Sequence, residues 1–143
     1  MQTAFERLRP LLETGQAAAG PTIVLATVEG DIHDIGKNIV ALMLRNHGYT
    51  VVDLGKDVPA ARIVAAAEEH GAALIGLSAL MTTTMVRMAE TVDLVREKGL
   101  PARVMVGGAV LSEAYAARIG ADGYAADAVA AVRLAGRLCG RAS

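Results

Sequence analysis

Apolar residues along this chain follow two rhythms. Short aliphatic and β-branched runs stand at "TIVLATV" (Thr22 to Val28), "TVVDL" (Thr50 to Leu54), "ALIGL" (Ala73 to Leu77) and "RVMV" (Arg103 to Val106), with a weaker one at "GYA" (Gly123 to Ala125). Each has the length of one buried strand. Between them the apolar positions recur at helical spacing. Helices are expected over Gly36 to Asn46, Ala60 to Glu69, Thr83 to Lys98, Ser112 to Ile119 and Ala128 to Leu138.

Strands that are apolar throughout are covered on both faces, and strands joined by crossover helices run parallel with right-handed connections. Five such units predict an α/β fold: a flavodoxin-like (Rossmann-like) doubly wound five-stranded parallel sheet of order 2-1-3-4-5. The helix ends carry their own chemistry. "NHG" at Asn46, "EHG" at Glu69 and "EKG" at Glu97 set a polar or cationic residue before a glycine, which suits a left-handed cap and the helix dipole. His47 and His70 are thereby read as ordinary helix-end residues. Only His33 falls in a strand-to-helix loop.

Composition sharpens this picture. The 143 residues suffice for one core and not two, so residues 21–143 form the domain. Residues 1–20, "FERLRPLLETGQAAAG" included, read as a short helix ended near Gly15 and a small-residue linker. Hydrophobic residues make up 53% but aromatics only 3%, so the surplus is aliphatic, as buried parallel strands require. A formal charge of −1 without a basic cluster argues against nucleic acid. The single Cys139 excludes an internal disulfide and a thiolate metal cluster and is read as inert. No apolar run reaches the roughly 18 residues of a membrane span, and "MQTAFERLRP" lacks the apolar stretch of a signal peptide. A cytoplasmic location is expected.

In an open parallel sheet the ligand site lies outside the carboxyl ends of the strands, where the strand order reverses. For this order the loops concerned are "EGDIHDIG" after the first strand, "SALMTTT" after the third and "GGAV" after the fourth. An imidazole there is open to three readings: metal ligand, catalytic base or bystander. His33 can offer one ring nitrogen to a metal while Asp31 accepts the N–H of the other, fixing the tautomer. Ser78, Thr82, Thr83 and Thr84 bring hydroxyls, and Gly107 and Gly108 leave backbone open to a ligand. A zinc site needs more ligands than His33, Asp31 and Asp34. A triad of Ser78 or Thr84 with His33 and Asp31 lacks a G-x-S-x-G elbow. The turn is neither G-x-G-x-x-G nor a P-loop, and its aspartates repel phosphate.

"DIHDIG" (Asp31, His33, Gly36), "SAL" (Ser78 to Leu80) and "GG" (Gly107, Gly108) resemble the DxHxxG, SxL, GG signature of cobalamin-binding domains. The intervals match too: 41 residues stand between Gly36 and Ser78, positions 37 to 77, and 26 between Leu80 and Gly107, positions 81 to 106. The wording "TVEGDIHDIGKNIV" with "LSALMTTTM" is similar to the corrinoid proteins of methyltransferase systems and the cobalamin domain of methionine synthase, over about Pro21 to Leu138.

That resemblance implies a cobalamin or related corrinoid whose lower base leaves the cobalt and is replaced by His33. Asp31 would take the second ring N–H, and Thr84, where methionine synthase has serine, would complete a relay to solvent. The turn Gly30, Asp31, Ile32, His33, Asp34, Ile35 and Gly36 would lie against the corrinoid, with no separate role for Asp34. Ser78 and Thr82 would touch the displaced nucleotide tail, Leu80 would line its slot, Gly107 and Gly108 would leave it room, and Ala128 would meet the corrin edge. The implied function is a non-catalytic methyl carrier, methylcobalamin in turnover, serving donor- and acceptor-side methyltransferases and a reductive activation protein. A cobalamin sensor or storage module, or the small subunit of an adenosylcobalamin mutase, is the alternative. Such proteins carry a four-helix cap, of which residues 1–20 resemble only the end, so an exposed upper face and self-association to a homo-oligomer are expected. Apart from the resemblance, Ser78 and the threonine run are expected to cap the following helix, Met81, Met85 and Met88 to pack it, and Lys37 and Asn38 to face solvent.

Overall fold

The five apolar runs form five parallel strands in the computed structural model, which describes residues 21–33, 35–108 and 111–138. The expected N-terminal helix and linker, Asp34 and Cys139 lie outside the described residues. The chain alternates β1 (Thr22–Thr27), α1 (Ile35–Asn46), β2 (Thr50–Asp53), α2 (Ala60–His70), β3 (Leu74–Ser78), α3 (Thr82–Glu97), β4 (Arg103–Gly107), α4 (Glu113–Arg118), β5 (Gly123–Ala125) and α5 (Ala128–Leu138). The sheet order is β2-β1-β3-β4-β5, as the alternating pattern predicts.

Strand pleating sends successive side chains to opposite faces, and each face has its own core. Ile23 and Leu25 of β1 join Leu74 and Met105 beneath α1 and α5, where Ala41, Leu44, Leu134 and Ala135 close the layer. Val24, Ala26, Ile75, Leu77, Val104 and Val106 face the other way, against Ile63 and Val64 of α2 and Met88 and Val92 of α3. Burying apolar surface at roughly 25 cal/mol per Å² makes these two layers the main source of stability. The glycines at the helix ends behave as their context requires: Gly48, Gly71 and Gly99 have φ of 91°, 60° and 65°. At Gly71 the backbone N–H donates to the Ala67 and Glu68 carbonyls, closing α2.

Three expectations are corrected. β3 begins and ends one residue later than the apolar run and β4 extends through Gly107, because Ser78 pairs with both Thr27 and Gly107. Lys37 does not face solvent: only 4% of it is exposed. Its Nζ lies 2.5 Å from Asp53 Oδ1 and 2.9 Å from Asn38 Oδ1, and this pairing is what lets a lysine sit beneath a helix start. Asn38 remains exposed. The cap of α3 is Met81 and makes no side-chain hydrogen bond, so neither Ser78 nor the threonines cap the helix. Met85 and Met88 do pack α3 onto the core. Among the described residues no helix is long and apolar enough to cross a membrane.

Candidate functional site

β1 and β3 are neighbours whose following helices leave on opposite faces, so the loops at their carboxyl ends part and open a crevice. The first loop is pinned by the Asp31 N–H, which donates to the Val28 carbonyl at 3.0 Å. The Asp31 side chain is fully buried. Its carboxylate accepts four hydrogen bonds: the His33 N–H at 3.0 Å and His33 Nδ1 at 2.7 Å on Oδ1, and the Leu80 N–H at 2.7 Å and the Thr84 hydroxyl at 2.8 Å on Oδ2. Burial alone would raise this carboxyl, but the Leu80 and His33 N–H groups, the His33 ring and the Thr84 hydroxyl outweigh it and hold it well below the usual carboxylate range.

An ionised Asp31 keeps the ring proton on Nδ1, leaving Nε2 of His33 with a free lone pair. The His33 side chain is 47% exposed, so that lone pair is accessible. Thr84 is buried, and its single hydroxyl proton has two acceptors in range, Asp31 Oδ2 and the Met81 carbonyl at 2.9 Å. Asp31 therefore joins the β1 loop, the β3 loop and the first turn of α3 into one unit.

A cavity of about 250 Å³ runs from His33 down between the sheet and helices α1 and α5. Its floor follows the strand register: Leu25, Gly76 and Met105 in one row, then Ser78, Gly107 and Ala125 in the next, towards the carboxyl edge. A Cβ on Gly76 would stand 2.4 Å from Leu25 Cδ2, so glycine there sets the depth of the floor. A Cβ on Gly36, in the first turn of α1, would meet nothing within 4 Å. Gly108 is glycine for another reason: its φ is 142° and a Cβ would lie 1.9 Å from the Ala79 carbonyl oxygen.

Of the residues singled out in the sequence, His33, Gly36, Ser78, Leu80, Gly107, Gly108 and Ala128 line this cavity. Asp31 and Thr84 stand behind His33, while Gly30, Ile32, Ile35 and Thr82 are exposed and are not among the residues that line it. Asp34 is outside the described residues. Sequence reasoning missed Gly76, Leu25, Met105 and Lys37 as wall residues. Counting two residues back from Ser78 and Gly107 along their strands would have found Gly76 and Met105, since the pleat returns to the same face.

The donor set speaks to what the site can hold. Among the described residues no group of three or more His, Cys, Asp or Glu could hold a metal ion, so His33 offers a single nitrogen. One imidazole suits a metal that brings its other ligands with it. A buried hydroxyl, Thr27 Oγ1, has no hydrogen-bond partner among the described residues. Thr27 is register-paired with Ser78 and so shares its face of the sheet.

Comparison with known proteins matches residues 21–133 to the family model described as "B12 binding domain". A corrinoid protein of Desulfitobacterium hafniense is 51% identical over 121 residues, covering 83% of this chain and 56% of its own. A dimethylamine corrinoid protein of Methanosarcina acetivorans is 45% identical over 141 residues, covering 96% of this chain and 66% of its own. Among solved structures, a chain of the methanol:cobalamin methyltransferase complex of Methanosarcina barkeri superposes with a TM-score of 0.84 at 35% identity, over 92% of this chain and 51% of that one. The chain thus spans between about half and two thirds of the length of these relatives.

Proposed function

This chain belongs to the B12-binding domain family, and from that membership we propose that it binds a corrinoid through His33 and carries a methyl group between methyltransferases. The observation that carries the reading is His33, with Nδ1 held by a buried carboxylate at 2.7 Å and its other nitrogen free at the mouth of a cavity. When bound, the corrinoid supplies a cobalt centre able to take up and release a methyl group. His33 Nε2 would be the nitrogen that this chain offers to the cobalt. Asp31 fixes the ring's tautomer and orientation and, being held ionised, makes the imidazole a better donor. Thr84, with one proton and two acceptors, adjusts the charge on Asp31 as the donor strength of His33 changes.

The cavity beneath His33 would hold the corrinoid's nucleotide tail. Ser78 offers a hydroxyl on its face, and Gly36, Gly76 and Gly107 keep it open. Ile32, Ile35 and Leu80, respectively 64%, 77% and 37% exposed, form an apolar rim suited to a macrocycle and to a partner above it. The partners in this reading are a donor-side and an acceptor-side methyltransferase and a reductive activation protein; of these, the relatives' names mention a methyltransferase alone, in the methanol:cobalamin methyltransferase complex. Self-association through the same rim and a cytoplasmic setting belong to this reading.

Titrating the protein with hydroxocobalamin and recording the visible spectrum is the test. The expected result is a stoichiometric complex with the spectrum of an imidazole-ligated corrinoid. His33→Ala is expected to bind at least tenfold more weakly, the order of a lost charge-supported ligand contact, and to give the spectrum of a water-ligated, base-off cofactor. An unchanged spectrum removes His33 from the cobalt.

A further inference from the structure

The loop that carries Asp31 is held from outside by a residue of the β2–α2 connection. Asp57 has φ of 56°, and among the described residues it alone has positive φ without being glycine. A left-handed conformation is uncommon outside glycine, although aspartate and asparagine tolerate it best. Such a conformation persists where the surroundings over-determine it, and here they do. Asp57 Oδ1 accepts the Gly30 N–H at 2.7 Å, and the Asp57 N–H donates to the Asp31 carbonyl at 3.0 Å. The following residue continues the clasp: the Val58 N–H donates to the Thr27 carbonyl at 3.1 Å, and Val58 bridges Val28. Residues 55–58 therefore run beside the end of β1 and grip Thr27, Gly30 and Asp31 in turn.

We propose that Asp57 is a positioning residue for the cobalt ligand. By fixing Gly30 and Asp31 through one side-chain and one backbone hydrogen bond, it sets where the Asp31 carboxylate stands and hence how His33 presents Nε2. This rests on the corrinoid reading above. The left-handed backbone is what makes both bonds possible at once, since it turns the Asp57 N–H and carboxylate onto adjacent residues of the same loop. Gly30 itself has φ of 88°. Among the described residues, Asp57 supplies the acceptor for its N–H.

Two variants separate the side chain from the backbone. Asp57→Gly keeps the left-handed conformation and deletes the acceptor, whereas Asp57→Asn keeps both the conformation and a carbonyl acceptor. In the ligand-free protein, amide hydrogen exchange at Gly30 is expected to speed up at least tenfold in Asp57→Gly, the order of one charge-assisted hydrogen bond, and to stay near wild type in Asp57→Asn. The ring ¹⁵N signals of His33 are expected to show the Nδ1–H tautomer in wild type and Asp57→Asn, and a mixture in Asp57→Gly. With hydroxocobalamin, Asp57→Gly should lose part of the imidazole-ligated spectrum and Asp57→Asn should regain it. An Asp57→Gly protein equal to wild type in Gly30 exchange, His33 signals and spectrum overturns the positioning role. A wild-type protein that binds no corrinoid overturns the functional reading instead, and with it any effect on cobalt.

Discussion

At the scale of single residues, Asp31 is the group on which the site turns. Four donors converge on a carboxylate with no exposed surface, and they hold its pKa below the value of about 3.9 expected in an unfolded chain. A carboxyl whose folded pKa is depressed stabilises the fold fully above the unfolded value, and that stabilisation fades as the pH falls from there towards the folded one. Wild type is therefore expected to lose stability steeply below about pH 4. Asp31→Asn has no carboxyl to protonate and should show a shallower slope over that interval. At neutral pH it should be less stable by about 1–3 kcal/mol, because an amide cannot accept from the His33 donors and from Leu80 and Thr84 together. Urea unfolding at a series of pH values measures both. Slopes that coincide would mean that some other carboxylate dominates acid unfolding.

At the scale of elements, glycines in the same signature serve different ends. Gly108 lies where β4 ends, against the Ala79 carbonyl oxygen, in a conformation that only glycine adopts readily. Gly108→Ala must therefore push two strand ends apart, and a loss of about 3 kcal/mol or more is expected, read as a fall in Tm of the ligand-free protein. A Tm within a degree of wild type would show that the β3 and β4 ends yield cheaply.

The strand and helix sequence, the order of the sheet and the His33–Asp31 pair were legible from apolar rhythm and residue spacing. Lys37 and Asp57 were not. The partner of Lys37, Asp53, lies on β2, and Asp57 grips a loop 27 residues away. Such contacts come from sheet order, and local pattern does not encode them. Gly76 was readable in principle from the pleat but sat inside a run that looked uniformly apolar. The capping role expected for the threonines failed because the Thr84 hydroxyl turns back to Asp31 and Met81.

At the scale of the whole molecule, the sheet does two jobs with its two faces. The side under α2 and α3 is packed with large aliphatic side chains, while the side under α1 and α5 gives up part of its packing to a slot whose floor sets Gly76, Ser78, Gly107 and Ala125 beside Leu25 and Met105. A ligand that fills the slot binds only the folded chain, so it must raise stability: by about 2.7 kcal/mol at a hundredfold excess over Kd, or roughly 5–10 °C in Tm for a chain of this size. Gly36 tests whether that gain comes from the slot. Leucine at this helix position meets no protein atom near its Cβ and has the better helix propensity by about 1 kcal/mol. Ligand-free Gly36→Leu is therefore expected to melt slightly higher than wild type. In the presence of hydroxocobalamin its Tm should barely move, since the side chain would occupy the space proposed for the tail. Differential scanning calorimetry with and without the corrinoid separates the two effects. A full ligand-induced shift in Gly36→Leu would place the tail elsewhere, and with it the reason for the slot.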